Sequence, residues 1–184
     1  KVYKISLNGG MTCPNRDGKI DTRGCIFCSR GGSGEFSADS CLSVSQQIEQ
    51  AKQRIRSKSD CKKFIAYFQP FTNTYADVDY LRKLYYEAAM PDEIVALSIA
   101  TRPDCISDEV ISLLDEINRF KPVWIELGLQ TIHKRTAEYI RRGYELGVYD
   151  EAVLKLKSIG VNIITHMIIG LPYETKQDIL QSVK

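Results

Sequence analysis

The chain has 184 residues, of which 43% are hydrophobic and 26% are charged, and this composition is ordinary for a globular domain. This length can bury one good core, so a single domain is predicted. The net charge of +2 excludes a polycation, and the sequence contains neither a membrane-spanning apolar run nor a signal-peptide pattern. We therefore predict a cytoplasmic protein with no membrane partner. Its six cysteines are then metal ligands, reactive thiols or buried side chains rather than disulfides.

Short runs rich in β-branched and aromatic residues alternate along the chain with segments of helical periodicity. Ser43 with Gln46 predicts a capping box, Ser107 predicts an N-cap, and Gly160 predicts a helix end. In chain order, the predicted elements are strand 2–7, helix 43–59, strand 63–68, helix 76–90, strand 93–100, helix 107–120, strand 123–129, helices 131–142 and 149–160, strand 161–169 and helix 175–184.

The alternation of apolar strands with helices favours an α/β fold in which helices cover a parallel sheet. Five such units would form an open or partial (β/α) barrel, and a doubly wound sheet is an alternative that periodicity does not separate from it. In both folds, functional groups gather at the carboxyl ends of the strands. Candidate residues should therefore lie in the segments that follow the five strands, which contain the cysteine-rich loop, QPFTNTY, TRPD, LQT and GLPYET.

The first of these segments, GGMTCPNRDGKIDTRGCIFCSRGG (9–32), contains three cysteines. Cys25 and Cys28 form a C-x2-C pair, which can bind one metal ion or cluster, and Cys13 lies upstream. Structural zinc needs a fourth ligand, which Cys41 could supply, whereas a thioredoxin-type pair leaves Cys13 without a role. Three thiolates at the mouth of a βα fold suit a 4Fe–4S cluster better, because three irons are ligated and the fourth stays open.

The whole chain resembles the radical S-adenosylmethionine (SAM) superfamily. Within it, the chain is similar to the branch of the elongator catalytic subunit, which has a widened first cysteine gap, and to the bacterial YhcC/YtqA group. The motifs that carry the resemblance are CPNRDGKIDTRGCIFC (13–28), YFQPFTNTYA (67–76), TRPD (101–104), IELGLQT (125–131), RRGY (141–144) and HMIIGLP (166–172). They run in family order through nearly the whole chain.

The resemblance implies that Cys13, Cys25 and Cys28 hold the 4Fe–4S cluster and that Phe27 lies against the adenine of SAM. Gln69 and Pro70 stand where most relatives have a glycine-rich segment that meets the SAM amino group. The remaining implied SAM contacts are Ser98 and Arg102 at the ribose or carboxylate, Gln130 at the end of strand four, Arg142 at the carboxylate, and the backbone of Ile168 and Gly170 at the adenine.

The resemblance also implies a reaction, in which the reduced cluster cleaves SAM to methionine and a 5′-deoxyadenosyl radical that abstracts hydrogen from a substrate. The branch suggests tRNA as that substrate, with modification of the 5-substituent of a wobble uridine. Flavodoxin or ferredoxin would donate the electron, and no stable protein partner is inferred. The alternative function is a non-catalytic zinc or iron–sulfur binding module on an α/β scaffold.

Several other polar residues could have either a structural or a functional role. A charge inside an apolar strand is rarely unpaired, so Glu126 should have Arg102 or Arg142 as its partner or else contact the cofactor. His166 is expected to line the barrel with a hydrogen bond or to contact substrate. Cys61 and Cys105 are expected to be ordinary thiols without a functional role.

Residues 1–184 are predicted to form a radical SAM core domain that is incomplete at its C-terminus. Relatives usually have a sixth strand after the fifth. The expected result is an open barrel in which strand five is an exposed edge.

Overall fold

A computed structural model describes all residues, 1–184, and contains every predicted strand and helix. The elements are β1 (Tyr3–Leu7), α1 (Val44–Arg56), β2 (Phe64–Phe68), α2 (Val78–Ala89), β3 (Ile94–Thr101), a 3-10 turn (Pro103–Cys105), α3 (Asp108–Asn118), β4 (Val123–Gln130), α4 (Lys134–Tyr139), α5 (Leu146–Ser158), β5 (Asn162–Met167) and α6 (Lys176–Val183).

The five strands form one parallel sheet in the order β1-β2-β3-β4-β5. Because each strand pairs with the next one in the sequence, the order never reverses. A doubly wound sheet requires such a reversal, so the structure excludes that alternative. β1 and β5 remain unpaired with each other, and the predicted open (β/α) barrel is confirmed.

Local signals set the helix ends largely as predicted. Ser43 and Gln46 form a capping box at α1, and the Ser107 hydroxyl accepts a hydrogen bond from a backbone N–H of α3. Gly160 follows α5 with φ of 70°, a conformation that glycine adopts without strain. α4 ends at Tyr139, short of the predicted residue 142, because Arg141 turns the chain with φ of 54°.

The core lies between the sheet and helices α1 to α3, with α5 adding two residues. It is one cluster of 27 buried residues, which includes Ile94, Leu97 and Ile99 of β3 and Val123, Ile125 and Leu127 of β4. β5 differs from the inner strands, since four of its six residues are exposed and it pairs only with β4. It is the exposed edge that the sequence predicted. No helix is both long enough and apolar enough to cross a bilayer.

Candidate active site

A cavity of about 280 Å³ opens at the carboxyl ends of the strands. Its volume is close to the lower end of the range for small-molecule sites, roughly 300–1,000 Å³. Residues from the loops after all of the first four strands and from β5 line it. Eight of the twelve predicted site residues are among them, namely Cys13, Cys25, Phe27, Cys28, Gln69, Arg102, Gln130 and Arg142.

The other four predicted site residues lie outside the cavity lining. Ser98 is fully buried, and its hydroxyl donates to Glu126. Pro70 packs against Gly34 so closely that a Cβ on Gly34 would lie 2.3 Å from the proline ring. Ile168 donates its backbone N–H to the carbonyl of Gln130, 3.1 Å away. Gly170 is exposed. Their predicted SAM contacts stay predictions.

The loop that carries the three cysteines is held by one arginine. The Arg16 guanidinium donates to the backbone carbonyls of Cys28, Ser29 and Arg30. Gly24 leaves room for this side chain, because a Cβ there would lie 3.0 Å from Arg16 Nε, and its φ of 73° favours glycine. The cysteine loop is therefore folded back on itself.

The chemistry of the donors fits a 4Fe–4S cluster. The three half-buried thiols face one cavity, yet no three His, Cys, Asp or Glu side chains stand close enough to hold a single metal ion. In a cubane each cysteine binds a different iron, so the sulfurs stand further apart than ligands of one ion. Cys41, the fourth ligand that the zinc alternative requires, is exposed and lies outside this cavity.

Two buried arginines and a tyrosine form the wall opposite the cysteines. The guanidinium groups of Arg102 and Arg142 lie over the Tyr144 ring, with their Cζ atoms 4.9 and 4.6 Å from the ring centre. Arg102 forms a bidentate pair with Asp104. Arg142 instead donates to the backbone carbonyls of Leu129, Thr131 and Tyr144. It has no carboxylate partner, and burial lowers its pKa.

One polar side chain from each of the five strands meets around the carboxylate of Glu126, in the interior of the barrel. Lys4, Ser98 and His166 bond to it, with His166 Nε2 at 2.9 Å. The Lys4 ammonium also lies 4.1 Å from the centre of the Tyr67 ring. Tyr67, Glu126 and His166 border the cavity. Glu126 is paired, as expected of a charge inside an apolar strand, but its charged or titratable partners are Lys4 and His166. The suggested partners Arg102 and Arg142 are wrong, because Arg102 is paired with Asp104 and Arg142 with the backbone.

A sequence profile of the radical SAM superfamily matches residues 20–184. The chain belongs to the radical SAM superfamily. The matched range includes Cys25 and Cys28, whereas Cys13 precedes it, so the position of Cys13 in the cavity is an independent observation. Members of this superfamily are enzymes that use a 4Fe–4S cluster and SAM.

Three relatives show which proteins the chain is similar to in sequence. The uncharacterised protein YtqA of Bacillus subtilis (strain 168) is 44% identical over 184 residues, covering 100% of this chain and 57% of YtqA. Protein YhcC of Escherichia coli (strain K12) is 38% identical over 185 residues, covering 100% and 59%. A tRNA uridine(34) acetyltransferase of Methanocaldococcus jannaschii is 32% identical over 78 residues, covering 42% and 14%. The chain thus spans somewhat more than half the length of YtqA and YhcC.

Solved structures agree on the fold. The Elp3 protein of Methanocaldococcus infernus superposes with a TM-score of 0.68 over 98% of this chain and 41% of that one, at 15% identity. Coproporphyrinogen III oxidase (HemN) of Escherichia coli, a radical SAM enzyme, has a TM-score of 0.62 over 100% and 41%, also at 15% identity. At this identity the likeness shows the partial barrel and nothing about substrate.

The radical SAM cavity also contains residues that the sequence did not single out as cofactor ligands. Tyr144 is the last residue of the RRGY motif, and Phe71 belongs to the QPFTNTY segment, so motif membership was a usable signal for both. Phe71 and Gln130 each have φ of 60°, a strained conformation for residues other than glycine. Such strain gathers at functional sites, but only coordinates reveal it.

The hydrogen bonds around Glu126 should make the free energy of unfolding depend on pH in the acid range. Burial opposes ionisation of Glu126, but hydrogen bonds from His166, Lys4 and Ser98 outweigh it and lower its pKa from 4.5 to about 2. A carboxyl whose pKa is lowered by folding stabilises the native state fully above its unfolded pKa, and this contribution is lost as the pH falls through the folded value. We expect the stabilisation from Glu126 to be lost as the pH falls from 4.5 to about 2.

Urea unfolding of wild type and of Glu126→Gln at several pH values measures this effect. Other carboxyls titrate in the same range, so the difference between the two proteins isolates Glu126. That difference should shrink as the pH is lowered. Parallel curves for the two proteins over this range would show that Glu126 is not held ionised by its neighbours.

Proposed function

We propose that Cys13, Cys25 and Cys28 of this chain hold a 4Fe–4S cluster and that the adjoining cavity binds SAM. The observation that carries the proposal is that these three thiols line the same cavity as five other residues expected at SAM. When bound, the reduced cluster supplies the electron that cleaves SAM to methionine and a 5′-deoxyadenosyl radical. The function is then hydrogen abstraction from a substrate at the carboxyl ends of the strands.

Residues at different positions around the cavity contribute to this function in different ways. Arg16 holds the cysteine loop in shape through three carbonyls, and Phe27, which is 39% exposed at the cavity, offers a ring to the adenine. Gln69 lies on the cavity wall, where its side-chain amide bonds to Ser6 and to the backbone of Ser33. Lining residues from several strand ends surround the reacting atoms and exclude water from them.

Arg142 is proposed to meet the SAM carboxylate. Four hydrogen bonds to three carbonyls hold it at the cavity wall and leave one of the five guanidinium N–H groups without a partner. A buried cation with no carboxylate partner is an attractive position for an anion. This proposal assigns Arg142 both functions, shaping the turn after β4 and attracting the ligand.

Arg142→Ala should weaken SAM binding while the protein still takes up iron. Loss of a hydrogen bond to a charged group costs about 1.5–3 kcal/mol, which is roughly ten- to a hundred-fold in affinity. Calorimetric titration of reconstituted protein with SAM measures the effect. Arg142→Lys retains the charge and should keep more affinity than Arg142→Ala. Equal SAM affinity in Arg142→Ala and wild type would reject the assignment, and thermal unfolding of each variant reports the lost carbonyl contacts separately.

A tRNA wobble uridine is the proposed substrate, with modification at its 5-substituent, and flavodoxin or ferredoxin is the proposed electron donor in the cytoplasm. The support is the matched segment shared with a tRNA uridine(34) acetyltransferase of Methanocaldococcus jannaschii. Comparing the modified nucleosides of tRNA from a deletion strain and its parent tests the substrate. Identical nucleoside profiles would contradict it.

Anaerobic reconstitution tests the enzymatic proposal itself. The protein should take up close to four irons per chain, and addition of dithionite and SAM should produce 5′-deoxyadenosine. Bound zinc together with no SAM cleavage would favour the non-catalytic module instead.

A further inference from the structure

Asn15 is a buried side chain that joins two motifs far apart in the sequence. It is 1% exposed. Its Nδ2 lies 3.2 Å from Cys25 Sγ, 2.8 Å from the carbonyl oxygen of Arg141 and 3.1 Å from that of Arg142. Carbonyl oxygens only accept hydrogen bonds, so the nitrogen of the amide must face them. The same nitrogen also lies within hydrogen-bond distance of the cysteine sulfur. Its two N–H groups face three acceptors, so at least one N–H is shared between two of them.

The surroundings of Asn15 are shaped around this contact. Gly143 has φ of 85°, and a Cβ there would lie 2.7 Å from Asn15 Oδ1. The glycine of RRGY thus leaves the space that the amide occupies. Oδ1 itself is buried without a partner, which costs stability. A buried unpaired atom in a native fold calls for an explanation, and a redox role is one of the recognised ones.

We propose that Asn15 tunes the cluster by donating its amide N–H to the Cys25 thiolate and thereby raises the reduction potential. This rests on the proposed function, because Cys25 must be a cluster ligand. Hydrogen bonds to ligand sulfurs are among the levers that set the potential of iron–sulfur clusters. Reduction adds negative charge to the cluster, so the donor stabilises the reduced form more than the oxidised one. Through the Arg141 and Arg142 carbonyls, the same amide links the cluster to the turn that carries Arg142.

The test is the midpoint potential of the reconstituted cluster in Asn15→Ala and Asn15→Leu, followed by electron paramagnetic resonance during a redox titration. The ratio of reduced to oxidised cluster at a fixed solution potential should fall roughly threefold to tenfold, and a tenfold fall corresponds to about 59 mV for one electron. An unchanged potential in variants with full iron content would overturn the proposal.

Asn73 supplies a matched control. It is 0% exposed, its Nδ2 donates to two backbone carbonyls (Phe68 and Ala100), and its Oδ1 is also unpaired, but it contacts no sulfur. Asn73→Ala should lower the melting temperature and leave the potential at the wild-type value. An equal shift in both variants would show that loss of stability, rather than the contact with sulfur, moves the potential, and would overturn the proposal.

A second measurement needs no variant, and so holds even where an Asn15 variant fails to load iron. Wild-type protein labelled with ¹⁵N only at asparagine side-chain amides should show a ¹⁵N coupling to the reduced cluster in pulsed electron–nuclear double resonance. A loaded cluster without that coupling would overturn the assignment of Asn15 alone. A wild-type protein that takes up no 4Fe–4S cluster would instead overturn the proposed function, and this inference with it.

Discussion

Replacing Cys13, Cys25 or Cys28 with alanine should reduce SAM cleavage to background and leave the barrel folded. In the proposed function these three cysteines ligate three irons of the cluster, so loss of any one removes a ligand. None of the three belongs to the cluster of 27 buried core residues, which is why the fold should survive. Iron content and 5′-deoxyadenosine formation are the measurements, with far-ultraviolet circular dichroism as the check on folding.

Cys61→Ala is the matched control for these variants. Its sulfur lies near the backbone carbonyls of Lys1 and Lys63, before β2 begins and therefore at the opposite end of the barrel from the cavity. Iron loading should be the same as in wild type. Cys13 is the sharpest case, because it lies before the residues that match the superfamily profile. If Cys13→Ala formed 5′-deoxyadenosine at the wild-type rate, its assignment as a ligand would be wrong.

Glu126→Gln should lower the free energy of unfolding by about 2 kcal/mol at neutral pH. Removing one partner of a fully buried ion pair costs about 3–5 kcal/mol. The lysine here is 38% exposed, so water screens part of the loss. The glutamine amide would also turn one donor group toward Lys4 or His166, which are donors themselves. Urea unfolding at neutral pH measures the change.

Glu116→Gln is the surface counterpart of this substitution. Glu116 pairs with Arg82 on side chains that are 46% and 42% exposed, and exposed pairs contribute little to stability. The two variants change the same chemical group, so their difference reports burial. A Glu126→Gln protein no less stable than Glu116→Gln would mean that the barrel interior does not depend on this carboxylate.

Much of the fold could be predicted from local signals. Strands β1 to β5 match the predicted apolar runs. The inner strands β3 and β4 do so because a buried parallel strand reads as an almost continuous apolar segment. The errors lie at the ends of elements, including β5, which ends at Met167 rather than at the predicted residue 169. Helix α5 begins at Leu146, three residues before the predicted start at 149, since Gly147 carries no side chain and breaks the apolar period. α4 stops early because a turn with positive φ follows it, and such turns leave only a weak trace in sequence.

The cysteine loop was predictable for a different reason, since its three cysteines lie close together in the chain and follow a strand. The cavity wall formed by Arg102, Arg142 and Tyr144 was harder to predict. Arg142 was singled out by its motif, but nothing local indicates that its guanidinium bonds to the carbonyls of Leu129 and Thr131. Those bonds depend on where β4 ends relative to the following turn.

The sequence by itself determined the order of strands and helices, the end of the sheet where chemistry gathers, and the thiols that lie there. Only the tertiary structure decided which polar groups meet. Lys4 reaches Glu126 across 122 residues of chain, and Asn15 reaches the carbonyl of Arg142 across 127. The physical reason is that such contacts depend on sheet register, on the curvature of the sheet and on which face a side chain points to. Local periodicity reports the spacing of apolar residues along one element, and it contains no information about the partner on another.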